Sequence, residues 1–328
     1  VAFGRQSLAD PAMPKKAQEE RLEDMTPCIA CLQGCVANMY AGNPVCCLTN
    51  PFLGHEAEPL EKAEEPKKVM VIGGGVAGLS AAFIAKERGH EVTLYEAGDV
   101  LGGNMRLAAY PPGKGDITNM IRSYIHRCQK DGVKIVMNCE VTPELIKEEK
   151  PDSVIIATGS KTLILPIEGI DNPAIIHGSD LLDGKRAAGK KVLVVGGGMV
   201  GCETAAFLGE QEHDVTVIEF RDTVGADVIH EHRVYLMKDF EDYGIKEITG
   251  AKVCKFYEDG VEYETADGVR HESRGYDSVI LSMGFRNYNP LEEKIKDLVP
   301  ETHVIGDAIR ARRALDATKE AYEVASRI

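Results

Sequence analysis

Five of the nine cysteines fall within twenty residues, as Cys28-x2-Cys31-x3-Cys35-x11-Cys47 with Cys46 beside the last. Three thiolates on one short loop and a fourth from the next turn can surround a cube of iron and sulfide. Tetrahedral zinc also takes four cysteines, usually from two well-separated Cys-x2-Cys pairs. The spacing favours an iron–sulfur cluster, keeps zinc as the alternative, and lets Cys46 compete with Cys47 as fourth ligand. The other cysteines, Cys128, Cys139, Cys202 and Cys254, sit singly in helix or strand patterns and read as buried, inert core thiols. An odd number, bunched at one place, points to a reducing compartment, the cytoplasm.

A second chemistry is written in glycines. Gly73-x-Gly75-x-x-Gly78 follows the apolar run Val69–Ile72, and a helix pattern leads on to a second strand, Glu91–Tyr95, that ends at Glu96. The first glycine makes the tight turn, the second lets backbone approach a pyrophosphate, and the third packs helix on strand. The helix N-terminus offers free N–H groups to phosphate, and the acid can accept from an adenosine ribose. The pattern recurs as Gly196, Gly198, Gly201 and Glu219, with 23 residues from first glycine to acid in both copies and an offset of 123 between them. Two matched units imply two adenine dinucleotides. Glu219 would repel a 2′-phosphate and so favours NADH over NADPH, although Arg221 two residues on could soften that.

The elements that must position these groups are those of an α/β protein with two Rossmann-like domains, preceded by the cysteine segment. At 328 residues, with 44% apolar and 27% charged residues, two globular domains are expected. A net charge of −14 argues against nucleic acid and anionic membranes as partners, and no apolar run approaches a bilayer span of ~20 residues. No signal peptide opens the sequence, and Val1 in place of Met suggests a chain cut from something longer. Val1–Arg5 reads as a strand end, and Asp10-Pro11 as the start of a helix running to about Glu23, with Asp10 as N-cap. Phe52–Lys68 is acidic, punctuated by proline, and reads as a surface linker. Helices are expected over Asp116–Gly132, Thr142–Lys150 and Ile229–Tyr243. Strands are expected over Val133–Cys139, Ser153–Ala157 and Ser278–Met283, with a hairpin through Ala266-Asp267-Gly268. Thr302–Asp307 reads as a strand end followed by a long amphipathic helix, whose N-terminus could face an anionic group. Gly306-Asp307 itself reads equally well as a helix cap. His230 and His232 lack the spacing of a helical zinc pair.

Taken together, CIACLQGC, CCLTNP, VIGGGVAGLSAA and LGGNMRLAAYPPGK resemble the C-terminal half of the 2,4-dienoyl-CoA reductase and enoate reductase family, to which trimethylamine dehydrogenase is related. The resemblance covers essentially the whole chain. It implies a [4Fe–4S] cluster on Cys28, Cys31, Cys35 and Cys47, the shared CL-x-N-P run favouring Cys47. It implies FAD at Gly73, Gly75, Ala77, Gly78 and Glu96, with Gly103, Asn104, Val141, the hinge Ala157-Thr158-Gly159, and Gly306-Asp307 at the ribityl chain. It implies NADH, or NADPH, at Gly196, Gly198, Gly201 and Glu219. Val1–Arg5 then corresponds to the last strand of a (β/α)8 barrel, with Arg5 toward an FMN phosphate. The expected divisions are a barrel remnant over 1–25, a cluster segment and linker over 26–65, an FAD domain over 66–164 and 286–328, and an inserted NAD(P)H domain over 165–285.

The rest of the barrel is absent, and with it the FMN site, the small-molecule substrate pocket and the acid–base groups that protonate an alkene. The resemblance therefore implies an electron-input module that passes electrons from NADH through FAD and the cluster to FMN in a barrel partner. No side chain of this chain is expected to be catalytic, because the cofactors carry the chemistry. A disulfide reductase would need a cysteine pair beside the flavin, and LGGNMRLAAY has none. The alternatives are the ADP-binding half of an amine dehydrogenase and a non-catalytic domain holding zinc.

Overall fold

The computed structural model describes residues 2–328. It divides into two units. Unit 1 holds the chain up to Ala109, Asp116–Lys161 and Arg286–Ile328, and unit 2 holds Tyr110–Gly115 and Thr162–Phe285. The chain opens with α1 (Arg5–Ala9), α2 (Met13–Gln18) and, among the cysteines, α3 (Val36–Tyr40). Then follow β1 (Lys68–Ile72), α4 (Val76–Glu87), β2 (Glu91–Tyr95), α5 (Asn104–Leu107), α6 (Asp116–Lys130), β3 (Lys134–Val136), α7 (Pro143–Glu149) and β4 (Ser153–Ile156). After β5 (Ser160–Thr162), unit 2 supplies β6 (Ile176–His177), α8 (Gly178–Leu182), β7 (Lys191–Val195), α9 (Met199–Glu210), β8 (Asp214–Ile218), α10 (His230–Asp242) and β9 (Lys246–Ile248). It continues with β10 (Lys252–Tyr257), β11 (Gly260–Glu264), β12 (Arg270–Ser273) and β13 (Ser278–Leu281). The chain returns through β14 (Phe285–Asn287), which pairs with β5, to α11 (Glu292–Ile295), β15 (Glu301–Val304) and α12 (Ala314–Ala325).

Each unit is built on a five-stranded sheet, ordered β15-β4-β1-β2-β3 in unit 1 and β6-β13-β7-β8-β9 in unit 2. All neighbours in both sheets are parallel. Parallel strands covered on both faces read as continuous apolar runs, and β1 and β7 are buried at four of five positions, β4 and β13 at all four. The crossover helices α4 and α9 are correspondingly apolar on more than one face: Val76–Ala85 are all buried in α4. Unit 2 adds the antiparallel meander β10-β11-β12, whose second turn closes through Thr265 N–H and Val269 O across Asp267.

Several sequence expectations change. Val1 lies outside the described residues, and Arg5 opens a helix instead of ending a strand. The helix expected from Asp10 to Glu23 is confined to Met13–Gln18, with Ala12 at its N-cap and a separate turn at Leu22–Asp24. Asp10 is instead a buried tie: its carboxylate accepts from Ala12 N–H at 3.1 Å, Thr26 N–H at 2.9 Å and Lys16 Nζ at 2.7 Å. The strand expected over Val133–Cys139 keeps only Lys134–Val136. The surface linker is pinned, since the Phe52 ring lies 5.6 Å from Tyr322 and 6.4 Å from Phe83, and His55 stacks on Tyr322 at 4.2 Å. The segment up to residue 65 belongs to unit 1 and forms no unit of its own, while Tyr110–Gly115 goes with unit 2. Cys128 and Cys202 are buried as expected, but Cys139 and Cys254 are half-buried.

The helix-on-turn packing has a test. A Cβ on Gly78 would stand 1.9 Å from Gly73 O, whereas one on Gly115 meets nothing within 4 Å. Gly78→Ala is expected to cost at least about 2 kcal/mol and Gly115→Ala less than about 0.5 kcal/mol, as read from chemical denaturation midpoints.

Candidate functional site

The cysteine loop and the arm after α3 meet at Gly34. Cys46 N–H donates to Gly34 O at 2.8 Å, and a Cβ on Gly34 would lie 2.5 Å from Cys46 O and 2.9 Å from its Sγ. With that close approach, Cys28, Cys31, Cys35, Cys46 and Cys47 wall one cavity, with Arg5 at its edge. All five thiols line this cavity, and among the described residues no three His, Cys, Asp or Glu side chains are placed to share a single ion. Burial pushes the Cys31 thiol up to about 11, and Cys47, Cys35 and Cys28 add to the rise. Cys46 is set apart by Asn38, whose Nδ2 donates to its Sγ at 3.4 Å, while Cys47 Sγ lies 3.3 Å from Thr49 Oγ1. The arm is anchored through the next residue: Leu48 is fully buried, and its carbonyl accepts from the buried Tyr124 hydroxyl of α6 at 3.0 Å.

In the first glycine turn, Gly73 adopts φ +106°, and a Cβ there would meet Ala157 O at 2.3 Å. Around Gly75 the space is open, with nothing within 4 Å of an added Cβ. Glu96 is fixed by the turn it serves: Gly74 N–H donates to Oε2 and Gly98 N–H to Oε1, each at 2.7 Å. Each oxygen retains a second lone pair for a ribose hydroxyl. Cys139 N–H donates to Glu96 O at 2.9 Å, which carries the chain past the acid to the buried Val141. Across the turn, Gly306 packs on Ala77, a Cβ on the glycine falling 3.1 Å from that of the alanine.

Ser160 joins two of the expected site residues. Its hydroxyl donates to Asp307 Oδ2 at 2.8 Å and accepts from Asn104 Nδ2 at 3.3 Å. Asp307 Oδ1 accepts from Arg312 N–H at 3.0 Å, and Gly306 N–H donates to Glu320 Oε2 at 2.7 Å. Asp307 therefore does not cap the last helix, as the sequence allowed, and that helix does not open there. A 3-10 turn occupies Gly306–Ala308, and α12 starts later, with Arg313 as N-cap. Thr158 and Gly159 join the return strand, Thr158 Oγ1 donating to Tyr288 O and Tyr288 N–H to Gly159 O.

The second turn repeats the first. Gly201 sits on Gly196 O as Gly78 sits on Gly73 O, and Glu219 accepts from Gly197 N–H at 2.6 Å and Arg221 N–H at 2.9 Å. The Arg221 contact to Glu219 that the structure records is thus a backbone one. Two features here escape sequence reading. The buried Glu203 of α9 forms an ion pair with Lys114, from the short segment that joins unit 2. The Asp227 carboxylate accepts from Met199 N–H at 2.8 Å. Asp227 stands 123 residues after Asn104, so the repeat offset carried a signal for it; the ion pair has none, since it depends on where a loop lands.

Two parallel-sheet units, each with a glycine turn and a pinned acid, define a two-dinucleotide oxidoreductase fold. The chain belongs to the pyridine nucleotide-disulphide oxidoreductase family, whose model matches residues 67–303. It is 34% identical to a cinnamate reductase of Clostridium sporogenes, over all of this chain and 49% of that protein. It is 35% identical to an NADH oxidase of Thermoanaerobacter brockii, over all of this chain and 52% of that one. A solved 2-naphthoyl-CoA reductase in complex with 2-naphthoyl-CoA superposes with a TM-score of 0.94 at 34% identity, covering 99% of this chain and 50% of that one. The chain thus spans about half the length of the curated relatives it matches. The resemblance to the C-terminal half of the 2,4-dienoyl-CoA reductase, enoate reductase and trimethylamine dehydrogenase group holds, as does the assignment to flavoprotein oxidoreductases that bind FAD and NAD(P)H. No helix among the described residues is long and apolar enough to cross a membrane.

The ion pair of unit 2 yields a prediction. Lys114→Met leaves the Glu203 carboxylate buried without its cation, and is expected to cost about 2 kcal/mol. The double variant Lys114→Met with Glu203→Gln is expected to recover most of that loss in a double-mutant cycle of denaturation free energies.

Proposed function

We propose that this chain is the electron-input module of an NADH-dependent flavin and iron–sulfur oxidoreductase. FAD occupies the first glycine turn, NADH the second, and a [4Fe–4S] cluster the cysteine cavity. Electrons leave to FMN in a barrel domain of the same longer protein, where an enoate or enoyl-CoA C=C bond is reduced. When bound, FAD supplies the exchange between paired and single electrons, and the cluster supplies single-electron transfer.

The observation that carries this reading is the repeated turn-and-acid geometry in two separate units, one of which also holds a cavity walled by five cysteines. The chain's own residues bind and orient. Gly73 and Gly78 bring the N-terminus of α4 to the phosphates, Gly75 leaves room for them, and Glu96 offers its remaining lone pairs to the ribose. Asn104, Ser160 and Asp307 form a polar row for the ribityl chain, beside Ala77 and Gly306. At the second turn Gly196, Gly198 and Gly201 play the same part, and the fixed Glu219 carboxylate disfavours a 2′-phosphate. The Cys28-x2-Cys31-x3-Cys35-x11-Cys47 spacing, with these thiols lining one cavity, supports a polynuclear centre over a single zinc ion. Cys28, Cys31, Cys35 and Cys47 are the proposed ligands: all line the cavity, and the CL-x-N-P run shared with the resembled family favours Cys47 over Cys46, which Asn38 engages. The cinnamate and 2-naphthoyl-CoA reductases among the relatives support an unsaturated acid or thioester as the substrate class. No cysteine lies between Cys47 and Cys128, around the first turn, which disfavours disulfide chemistry despite the family's name.

An anaerobic titration of the purified chain tests the reading. NADH is expected to bleach first the flavin bands and then the broad cluster absorption at stoichiometric amounts, with NADPH much weaker. A yellow-brown protein indifferent to NADH would shift the reading to an amine-dehydrogenase half, and a colourless zinc protein would remove the cluster. The ligand set is tested by iron and sulfide analysis: Cys47→Ser is expected to lose most of the iron, and Cys46→Ser to retain it.

A further inference from the structure

The internal repeat extends beyond the two glycine turns. Leu101-Gly102-Gly103-Asn104 and Val224-Gly225-Ala226-Asp227 stand 123 residues apart, each after its acid. Both loops are held alike: Gly102 N–H donates to Gly74 O at 2.8 Å, and Gly225 N–H to Gly197 O at 2.7 Å. The fourth position differs in charge and in use. Asn104 is neutral and turns to Ser160. Asp227 is an acid and turns to the start of α9, where its Oδ1 accepts from Met199 N–H at 2.8 Å. Its Oδ2 lies 3.4 Å from where a Cβ on Gly198 would be, whereas the equivalent position at Gly75 has nothing within 4 Å. The second turn therefore carries an anion of its own where the first is open.

We propose that Asp227 is a carboxylate latch on the second phosphate site, which the pyrophosphate of the nicotinamide dinucleotide must displace. The inference rests on the reading of the second turn as that dinucleotide's site. The N–H groups and positive dipole end of a helix stabilise one anion, and a second anion brought to the same place is repelled by the first. Binding at the second turn thus exchanges one charged acceptor for another, while binding at the first fills an open one. The asymmetry suits the two roles. A resident flavin is held at an open site, and a donor that must leave after each turnover is held at a contested one.

Asp227→Asn keeps the shape and an oxygen that can still accept from Met199 N–H, removes the charge, and exchanges the other oxygen for an amide NH2. On the purified, oxidised protein at low salt, calorimetry is expected to show NAD+ binding about tenfold tighter in Asp227→Asn, the scale of one charged hydrogen bond. Adenosine, which lacks phosphates, is expected to bind with unchanged affinity. The reciprocal change Asn104→Asp is expected to lower the FAD retained on purification. Equal NAD+ affinity in wild type and Asp227→Asn would overturn the latch, and so would an equal gain for adenosine. If neither protein binds NAD+ while FAD is retained, the nicotinamide reading itself falls, and the latch with it.

Discussion

An added Cβ on Gly78 would sit 1.9 Å from Gly73 O, and one on Gly201 1.8 Å from Gly196 O. These are separations that only a hydrogen can occupy. They let α4 and α9 seat directly on the turns that precede them, and the rest of each unit depends on that seating. With the helix seated, the first glycine tucks under the end of the neighbouring strand, at Ala157 in unit 1 and Ser282 in unit 2. The backbone N–H of the next residue then reaches the acid at the end of the following strand. One steric permission thus sets the helix axis, the turn backbone and the place of the acid together.

Unit 1 carries the cysteine segment by a different logic. Few of its residues form regular elements, and α1, α2 and α3 are each too short to hold a position alone. Order comes from side chains that plug into the dinucleotide-binding core. Leu48 is fully buried and tied to Tyr124; Phe52 packs among Phe83 and Tyr322, with Arg127 over its ring at 4.9 Å. Asp10, Gln6 and Asn50 then stitch the opening helices to the loop through backbone groups, Gln6 Oε1 accepting from Cys28 N–H at 2.8 Å. The cavity walls are therefore tied to that core.

Much of this was legible beforehand because it is local. A strand, a turn, a helix and an acid at fixed spacing are dictated within thirty residues, and they recur in both units as expected. The cysteine spacing likewise grouped these thiols, and the structure lines one cavity with all five. What sequence could not supply depends on distant packing. The helix read from Asp10 to Glu23 begins only at Met13, Asp10 being drawn to Thr26 and Lys16 instead of capping, and it ends at Gln18, just before Glu20 turns left-handed at φ +56°. The linker looked solvated because its acids are, yet Phe52 and His55 anchor it. Ser160 had no signature, because its partners Asn104 and Asp307 are 56 and 147 residues away.

The place of β15 in the unit 1 sheet bears on how the chain is made. That strand pairs with β4, and α12 covers α4 and receives the linker rings, yet both come after the whole of unit 2. A growing polypeptide emerges in order, and its domains fold as units. Unit 2, continuous but for six residues, can complete its sheet while unit 1 still lacks one edge and one cover. Until β15 and α12 emerge, β4 shows an unpaired border and Phe52 lacks Tyr322. The half-built first unit is then the state most open to wrong pairing during translation, and the last forty residues act as its closing clasp.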